Sequence, residues 1–408
     1  MNLWIHDALL ADGTGTDPVR THLLVENGIV TRRGGQRPAG VEVLDAQGQL
    51  VTPGLIDAHV HLGTSSNLGA LAGYGISAAE MAADMFANLS DTLDGGFTTV
   101  RDTGGIDAGI ATVVKLGKVR GPRVLQCGPI QCQRGGHGHF AAPWEPTDLY
   151  CGHGIPGLTH FALLSDSPDE MRANVRESFR RGAEFIKMCA TGGVMSTHDE
   201  LSDTQLTVEE MAAGVVEAHA RGTYVTIHAH NNAGLRNGIE AGVECVEHGS
   251  LVDEETAALM VQRGVALVPT LTVIEEIAQD STHLGVDAGF AARAEIVWKG
   301  ARDAVLVAAE AGVLVGSGAD LIGPKQLHRG RELRLRAELQ GAMTALVSAT
   351  RDNARVLRIA DQVGTLEPGK AGDLVVWARN PLDDPAVFED RSAVQVVVQA
   401  GRVVRDAR

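Results

Sequence analysis

The sequence predicts an α/β protein: a (β/α)₈ TIM-like barrel with a small β-sandwich domain built from both chain ends. Three observations lead there. Eight short apolar segments alternate with helical patterns over residues 53–362. Residues 1–52 and 363–408 are instead rich in strand patterns and punctuated by glycine. The chain has 408 residues, enough for a barrel of roughly 250 residues and a smaller partner.

Residues 3–6 and 21–26 alternate apolar and polar positions, and Gly28, Gly34, Gly35 and Gly48 mark turns between such segments. Residues 50–61 read as one buried strand behind a Pro53-Gly54 turn, which opens the barrel. Seven more strands are expected at 98–101, 123–127, 184–189, 224–229, 245–247, 265–269 and 313–316. The intervening segments carry helical spacing, as in Met171, Val175 and Phe179. Residues 129–165 hold six glycines and four histidines. They read as a single long loop over the barrel mouth, a length usually kept for function. After a turn-rich link at 364–370, strands at 373–377, 394–398 and 402–405 complete the sandwich.

Aromatic residues make up 4% of the chain against 44% hydrophobic, so the core must be aliphatic. Fifty-one acidic against 35 basic residues leave a net charge of −16. Such a surface repels phosphate backbones, and no nucleic-acid partner is expected. No stretch approaches roughly 18 uninterrupted apolar residues, so no membrane span is expected. Residues 1–12 lack the pattern of a secretory signal. The five cysteines show no CxxC spacing, which fits a reducing, cytoplasmic setting.

His59 and His61 lie two apart on a strand, so both imidazoles leave one face. They stand where that strand ends, the side of a barrel on which chemistry occurs. His228, His248 and Asp320 end or follow the fifth, sixth and eighth strands at the same rim. Paired core histidines explain HxH alone; five such groups at one rim point to divalent metal, Zn²⁺ being the natural choice. Lys187 sits within the apolar run Phe185-Ile186-Lys187-Met188-Cys189, where a free ammonium is costly. A salt bridge or an exit to solvent is one reading. The other is a carbamate formed from CO₂ on the neutral amine, able to bridge two ions about 3.5–4 Å apart.

Pro53-Gly54-Leu55-Ile56-Asp57-Ala58-His59-Val60-His61 resembles the first-strand signature of the amidohydrolase superfamily. The likeness runs through Lys187, His228, His248, Asp320 and the tail 364–374. Gly135-Gly136-His137-Gly138 and Thr191-Gly192-Gly193-Val194-Met195-Ser196 resemble the imidazolonepropionase-like branch with Xaa-Pro dipeptidases and ochratoxin-type amidases. The resemblance implies a binuclear centre. His59, His61 and Asp320 would hold one ion, His228 and His248 the other, and carboxylated Lys187 would bridge them. Asp320 would serve as base and then acid. His137 would polarise the substrate carbonyl, with His139 able to share or take that task.

His230 stands where dipeptidase relatives place a tyrosine that grips a carboxylate. Ser65, Ser66, Asn67, His198 and His328 are further candidates to line the pocket; His153 and His160 read as loop or surface residues. The expected reaction is hydrolysis of the amide bond of an N-acyl amino acid or dipeptide, including ochratoxin-type amides. The alternative substrates are a cyclic amide or imidazolone, or a carbamate or phenylurea. A non-enzymatic binding protein would have lost a ligand, yet all six positions are filled. A homo-oligomer is expected from the resemblance alone.

Overall fold

The structure, a computed structural model, describes residues 2–66, 75–141, 144, 154–196, 198–279, 288–324 and 326–408. The first strands are β1 (Asn2–Leu10), β2 (Val19–Glu26), β3 (Ile29–Arg33), β4 (Glu42–Asp45) and β5 (Leu50–Pro53). Next come β6 (Leu55–Val60), β7 (Phe97–Asp102), β8 (Gly105–Ile106), β9 (Arg123–Gln126), β10 (Ile130–Cys132), β11 (Thr159–His160) and β12 (Ala162–Leu164). Then follow β13 (Ile186–Cys189), β14 (Val225–Ala229), β15 (Cys245–His248) and β16 (Ala266–Val268). β17 (Leu374–Trp377), β18 (Val394–Gln399) and β19 (Arg402–Asp406) end the chain.

The two chain ends pair as their strand patterns suggest. One mixed sheet runs β19-β18-β17-β5-β1-β2-β3, with β4 also on β1. β5 is the joint, antiparallel to β17 and parallel to β1. A bulge between Ile5 and Ala8, with Asp7 at φ 53°, lets β1 pair with β4 along one half and β5 along the other. Leu3, Ile5, Leu23 and Val25 share a core with Val376, Val396 and Val398. Hydrogen bonds run unbroken through β5, so the strands of the two chain ends form one continuous sheet around a shared core.

The middle of the chain alternates strand and helix. β6-β7-β9 form one parallel sheet, and β12-β10-β13-β14-β15-β16 another. Helices intervene, such as Ala78–Asp94 between β6 and β7, and Val208–Ala220 between β13 and β14. The latter starts at a capping box in which Thr207 and Glu210 satisfy each other's backbone N–H groups. Outward residues Met188, Ile227, Val246 and Leu267 pack on helical Val175, Val215, Ile239 and Met260. The opposite positions of both sheets meet in a second core of Ile56, Ala58, Leu125, Phe185, Tyr224, Cys245, Ala266 and Val268. The period of two thus sends Lys187, Thr226 and Glu247 to this inner side.

Three expectations need correction. The eight-stranded ladder is not continuous. The expected eighth strand at 313–316 makes only a bridge, Leu267 to Val315, and side chains stitch its other edge. Asn353 Nδ2 donates to Ile56 O and Ser317 O (2.6 and 2.7 Å), and its Oδ1 accepts from Ser317 N. That amide takes the place of ladder bonds, while Ala58 N still reaches Ser317 O at 3.0 Å. Residues 50–61 are two strands, because Gly54 ends the terminal sheet and Leu55 begins the parallel one. The segment 129–165 is not all loop: β10, β11 and β12 lie within it. Its glycines masked two short apolar runs long enough for parallel pairing.

Candidate metal centre

β6 carries His59 and His61 to one point. The Glu247 carboxylate, 2.8 Å from His59 Nδ1, and the Gly104 carbonyl, 2.8 Å from His61 Nδ1, can only accept. Both Nδ1 atoms therefore hold the proton, and both Nε2 lone pairs are turned inward. The two Nε2 atoms lie 3.3 Å apart. Asp320 Oδ1 is 3.4 Å from the first and 3.3 Å from the second. A tetrahedral ion bound at about 2.0–2.1 Å forces its donors about 3.3–3.4 Å apart. The observed triangle has those edges, so the residues fit a divalent ion. His59, His248 and Asp320 also place ligand atoms within 4.8 Å of one another.

Two of these groups reach the site through left-handed backbone. His248 has φ 68° and Asp320 φ 54°, conformations uncommon for residues with a Cβ. His248 turns its side chain inward at the end of β15, and Asp320 does so in the loop that follows the bridge at Val315. Asp57 locks the Asp320 loop to β6: its Oδ1 accepts from His59 N (3.1 Å) and Ala319 N (3.0 Å), and its Oδ2 pairs with Arg329 Nη1 (3.0 Å). Gly318 permits the approach, since a Cβ there would meet His59 Cβ at 2.5 Å.

The second group of imidazoles adjoins the first. Ring centroids are 5.0 Å apart for His59 and His248, 4.5 Å for His228 and His248, and 5.0 Å for His230 and His248. His248 Nδ1 lies 2.7 Å from Thr270 Oγ1. His228 Nε2 faces Gly192 O at 3.3 Å, which leaves its lone pair on Nδ1. Lys187 is 2% exposed, on the same inner face, and forms no ion pair among the described residues. Among the described residues, neither the salt bridge nor the exit to solvent that would make it ordinary is present. Its charge bears on His59, His61, His228, His248 and Asp320.

Burial holds most of these rings neutral, the form a metal needs. Burial brings His61 down to about 4, as it does His230, and brings His137 to about 3. His228 and His248 are pushed well below the usual range, first by burial and then by neighbouring histidines. For Asp320 burial acts upward, but His59, His61 and Lys187 together hold it below the ordinary carboxylate value.

The remaining candidates divide. His137 stacks on His228 with centroids 4.0 Å apart and puts Nδ1 2.6 Å from Ser196 Oγ. Gly193 makes room for it, because a Cβ there would lie 2.3 Å from His137 Nδ1. His139 instead neighbours His198 (6.0 Å between centroids); its Nδ1 accepts from Gly135 N, and its Nε2 is buried without a partner among the described residues. His198 donates through Nε2 to Ala141 O. His230 is buried, with Nδ1 3.0 Å from Ser250 Oγ. Ser65 Oγ donates to Leu62 O, and Ser66 Oγ donates to Asp84 Oδ2, towards the helix Ala78–Asp94. His160 is 4% exposed rather than at the surface, since β11 pairs it with Gly105. His328 is half exposed beside Glu389. Asn67 and His153 lie outside the described residues.

Sequence reasoning missed Asp57, Arg329, Arg101, Asp102 and Glu247. All five are 2% exposed or less. A signal existed: Arg101, Asp102 and Glu247 are charged residues inside short apolar strands, as Lys187 is. Asp102 accepts from Leu62 N and Gly104 N and so sets the loop whose carbonyl orients His61. Burial raises its carboxyl to about 7 against those two donors.

Comparison with known proteins identifies a family and its relatives. The profile of the Amidohydrolase family matches residues 50–404. Ochratoxinase of Aspergillus niger is 30% identical over 98% of this chain and 86% of its own length. The solved structure of a prolidase in complex with N-methylphosphonate-L-proline is 32% identical, with a TM-score of 0.92 and all of both chains covered. A Xaa-Pro dipeptidase with methionine in its active site is 30% identical, with a TM-score of 0.89, covering 99% of this chain and all of that one.

Proposed function

This chain belongs to the amidohydrolase family, and from that premise we propose a binuclear, metal-dependent hydrolase of the amide bond in N-acyl amino acids or dipeptides, ochratoxin-type amides included. The observation that carries the reading is the triangle of His59 Nε2, His61 Nε2 and Asp320 Oδ1, 3.3–3.4 Å on each edge, beside buried Lys187. Its resemblance to a prolidase, a Xaa-Pro dipeptidase and an ochratoxinase at 30–32% identity supports the substrate class.

His59, His61 and Asp320 would hold one divalent ion, and His228 and His248 a second. A carbamate on Lys187 would bridge them and turn a costly cation into an anion with two oxygens. Zn²⁺ suits this nitrogen and oxygen set. When bound, the ions supply a water of near-neutral pKa and an electrophile for the scissile carbonyl. Asp320, held ionised, takes the proton from the attacking water and returns it to the leaving amine. His137 donates to the developing oxyanion through the nitrogen that Ser196 leaves free. His230 offers an N–H to the substrate carboxylate.

The two parallel sheets share one inner core. This supports reading residues 53–362 as one (β/α)₈ barrel, with 1–52 and 363–408 as its sandwich companion. The test is a screen of N-acyl amino acids, Xaa-Pro dipeptides and an ochratoxin-type amide, with Zn²⁺ supplied and free amino acid scored. Release from one member supports the reading. No release from any member by protein that has bound zinc overturns it.

A further inference from the structure

A fully buried carboxylate lies behind the ligands. Glu247 is fully buried on β15, opposite His228 in register. Its Oε2 accepts from His59 Nδ1 at 2.8 Å. Its Oε1 accepts from Arg101 Nη2 at 2.5 Å and from Thr226 Oγ1, with Cys245 Sγ at 3.6 Å. Arg101, also fully buried, is pinned in turn by Nε donating to Ala58 O at 2.6 Å. One carboxylate therefore has one oxygen fixed by donors on β7 and β14 and the other oxygen aimed at β6.

We propose that Glu247 is a positioning residue that sets the tautomer of His59, with Arg101 and Thr226 setting Glu247; this rests on the metal-site reading above. Being an acceptor only, the carboxylate requires the proton on His59 Nδ1 and leaves Nε2 as a lone pair for the ion. The arrangement discriminates sharply between Glu and its isostere. In Glu247→Gln, Arg101 and Thr226 still demand an oxygen on their side. The amide NH₂ must then face His59 and donate to Nδ1. The ring proton moves to Nε2, where it points at His61 and Asp320 and no lone pair remains. A near-identical shape thus disables a ligand without emptying any space. Arg101 loses its counter-charge in this variant and stability falls, but a residue that merely linked strands would leave the zinc affinity of the folded protein unchanged.

The experiment measures Zn²⁺ affinity by competition with a chromophoric chelator for wild type, Glu247→Gln and His59→Ala, with thermal unfolding of each. In parallel, ¹⁵N-histidine spectra of the wild type read which ring nitrogen of His59 carries hydrogen. Expected are a loss of zinc affinity of about 10- to 100-fold or more in Glu247→Gln with its unfolding transition retained, and hydrogen on Nδ1 of His59 in the wild type. Wild-type zinc affinity in Glu247→Gln, while His59→Ala loses it, overturns this inference and leaves the metal site standing. Hydrogen on Nε2 of wild-type His59 also overturns it, and needs no variant to fold. Zinc binding unchanged in His59→Ala removes the metal-site reading and this inference together.

Discussion

Replacing Asp57 by alanine should lower stability by about 3–5 kcal/mol, the cost of leaving one partner of a buried ion pair alone. Asp57 and Arg329 are both 2% exposed. Burial raises the Asp57 carboxyl above its ordinary value even against Arg329, so the pair itself adds little net stability. The cost arises because Arg329 would stay buried with only neutral acceptors: Thr92 Oγ1, Asn88 Oδ1 and Gln326 Oε1. Two backbone donors, His59 N and Ala319 N, would also lose their acceptor. With an unfolding entropy of about 2.1 cal/mol/K per residue, 408 residues give about 0.9 kcal/mol/K, hence a fall in Tm of about 4–6 °C. Calorimetry reads this directly. Asp57→Asn, which keeps an oxygen for the two backbone donors, should lie between wild type and alanine. A Tm for Asp57→Ala within about 1 °C of wild type, which that slope converts to less than about 1 kcal/mol, would refute the argument that Arg329 depends on this charge.

Lys187→Ala should drop bound zinc from two ions to one per chain and abolish turnover; elemental analysis finding two ions would end the carbamate proposal. His137→Ala should lower kcat by about 10²- to 10³-fold, the usual cost of losing an oxyanion donor, while His139→Ala stays within a few-fold; steady-state kinetics on one amide decide, and the reverse ranking would transfer the role to His139. Glu332 is buried, and its carboxyl is pushed up from 4.5 to about 8 by that burial, against Arg336. The folded form then keeps a proton that the unfolded chain releases, so stability declines as pH rises from about 4.5 to 8 and levels off beyond. The size is on the order of a few kcal/mol. Tm measured from pH 5 to 8.5 should fall more steeply in wild type than in Glu332→Gln; parallel curves would refute it.

Local pattern was enough for much of this protein. The alternation of strand and helix in the middle of the chain, the candidacy of His59, His61, Lys187, His228, His248 and Asp320, and the β-rich character of the two ends were legible in periodicity, in polar groups placed at the ends of or within apolar strands, and in the family resemblance. A period of two dictates which face a side chain leaves, and burial makes an unpaired charge conspicuous. What lay beyond reach depends on how distant segments meet. That Glu247 backs His59 across 188 positions is a matter of how β6 and β15, strands of two different sheets, face each other. That His137 rather than His139 stacks on His228 follows from how the loop is folded against Gly193. The left-handed turns at His248 and Asp320, and the Asn353 amide that replaces ladder bonds at the seam, have no local signature, since neither residue type demands them. Sequence by itself therefore picked out the groups that gather at the candidate site. Tertiary structure decided which nitrogen each presents and who holds it there, because hydrogen-bond direction is settled between residues that only the fold makes neighbours.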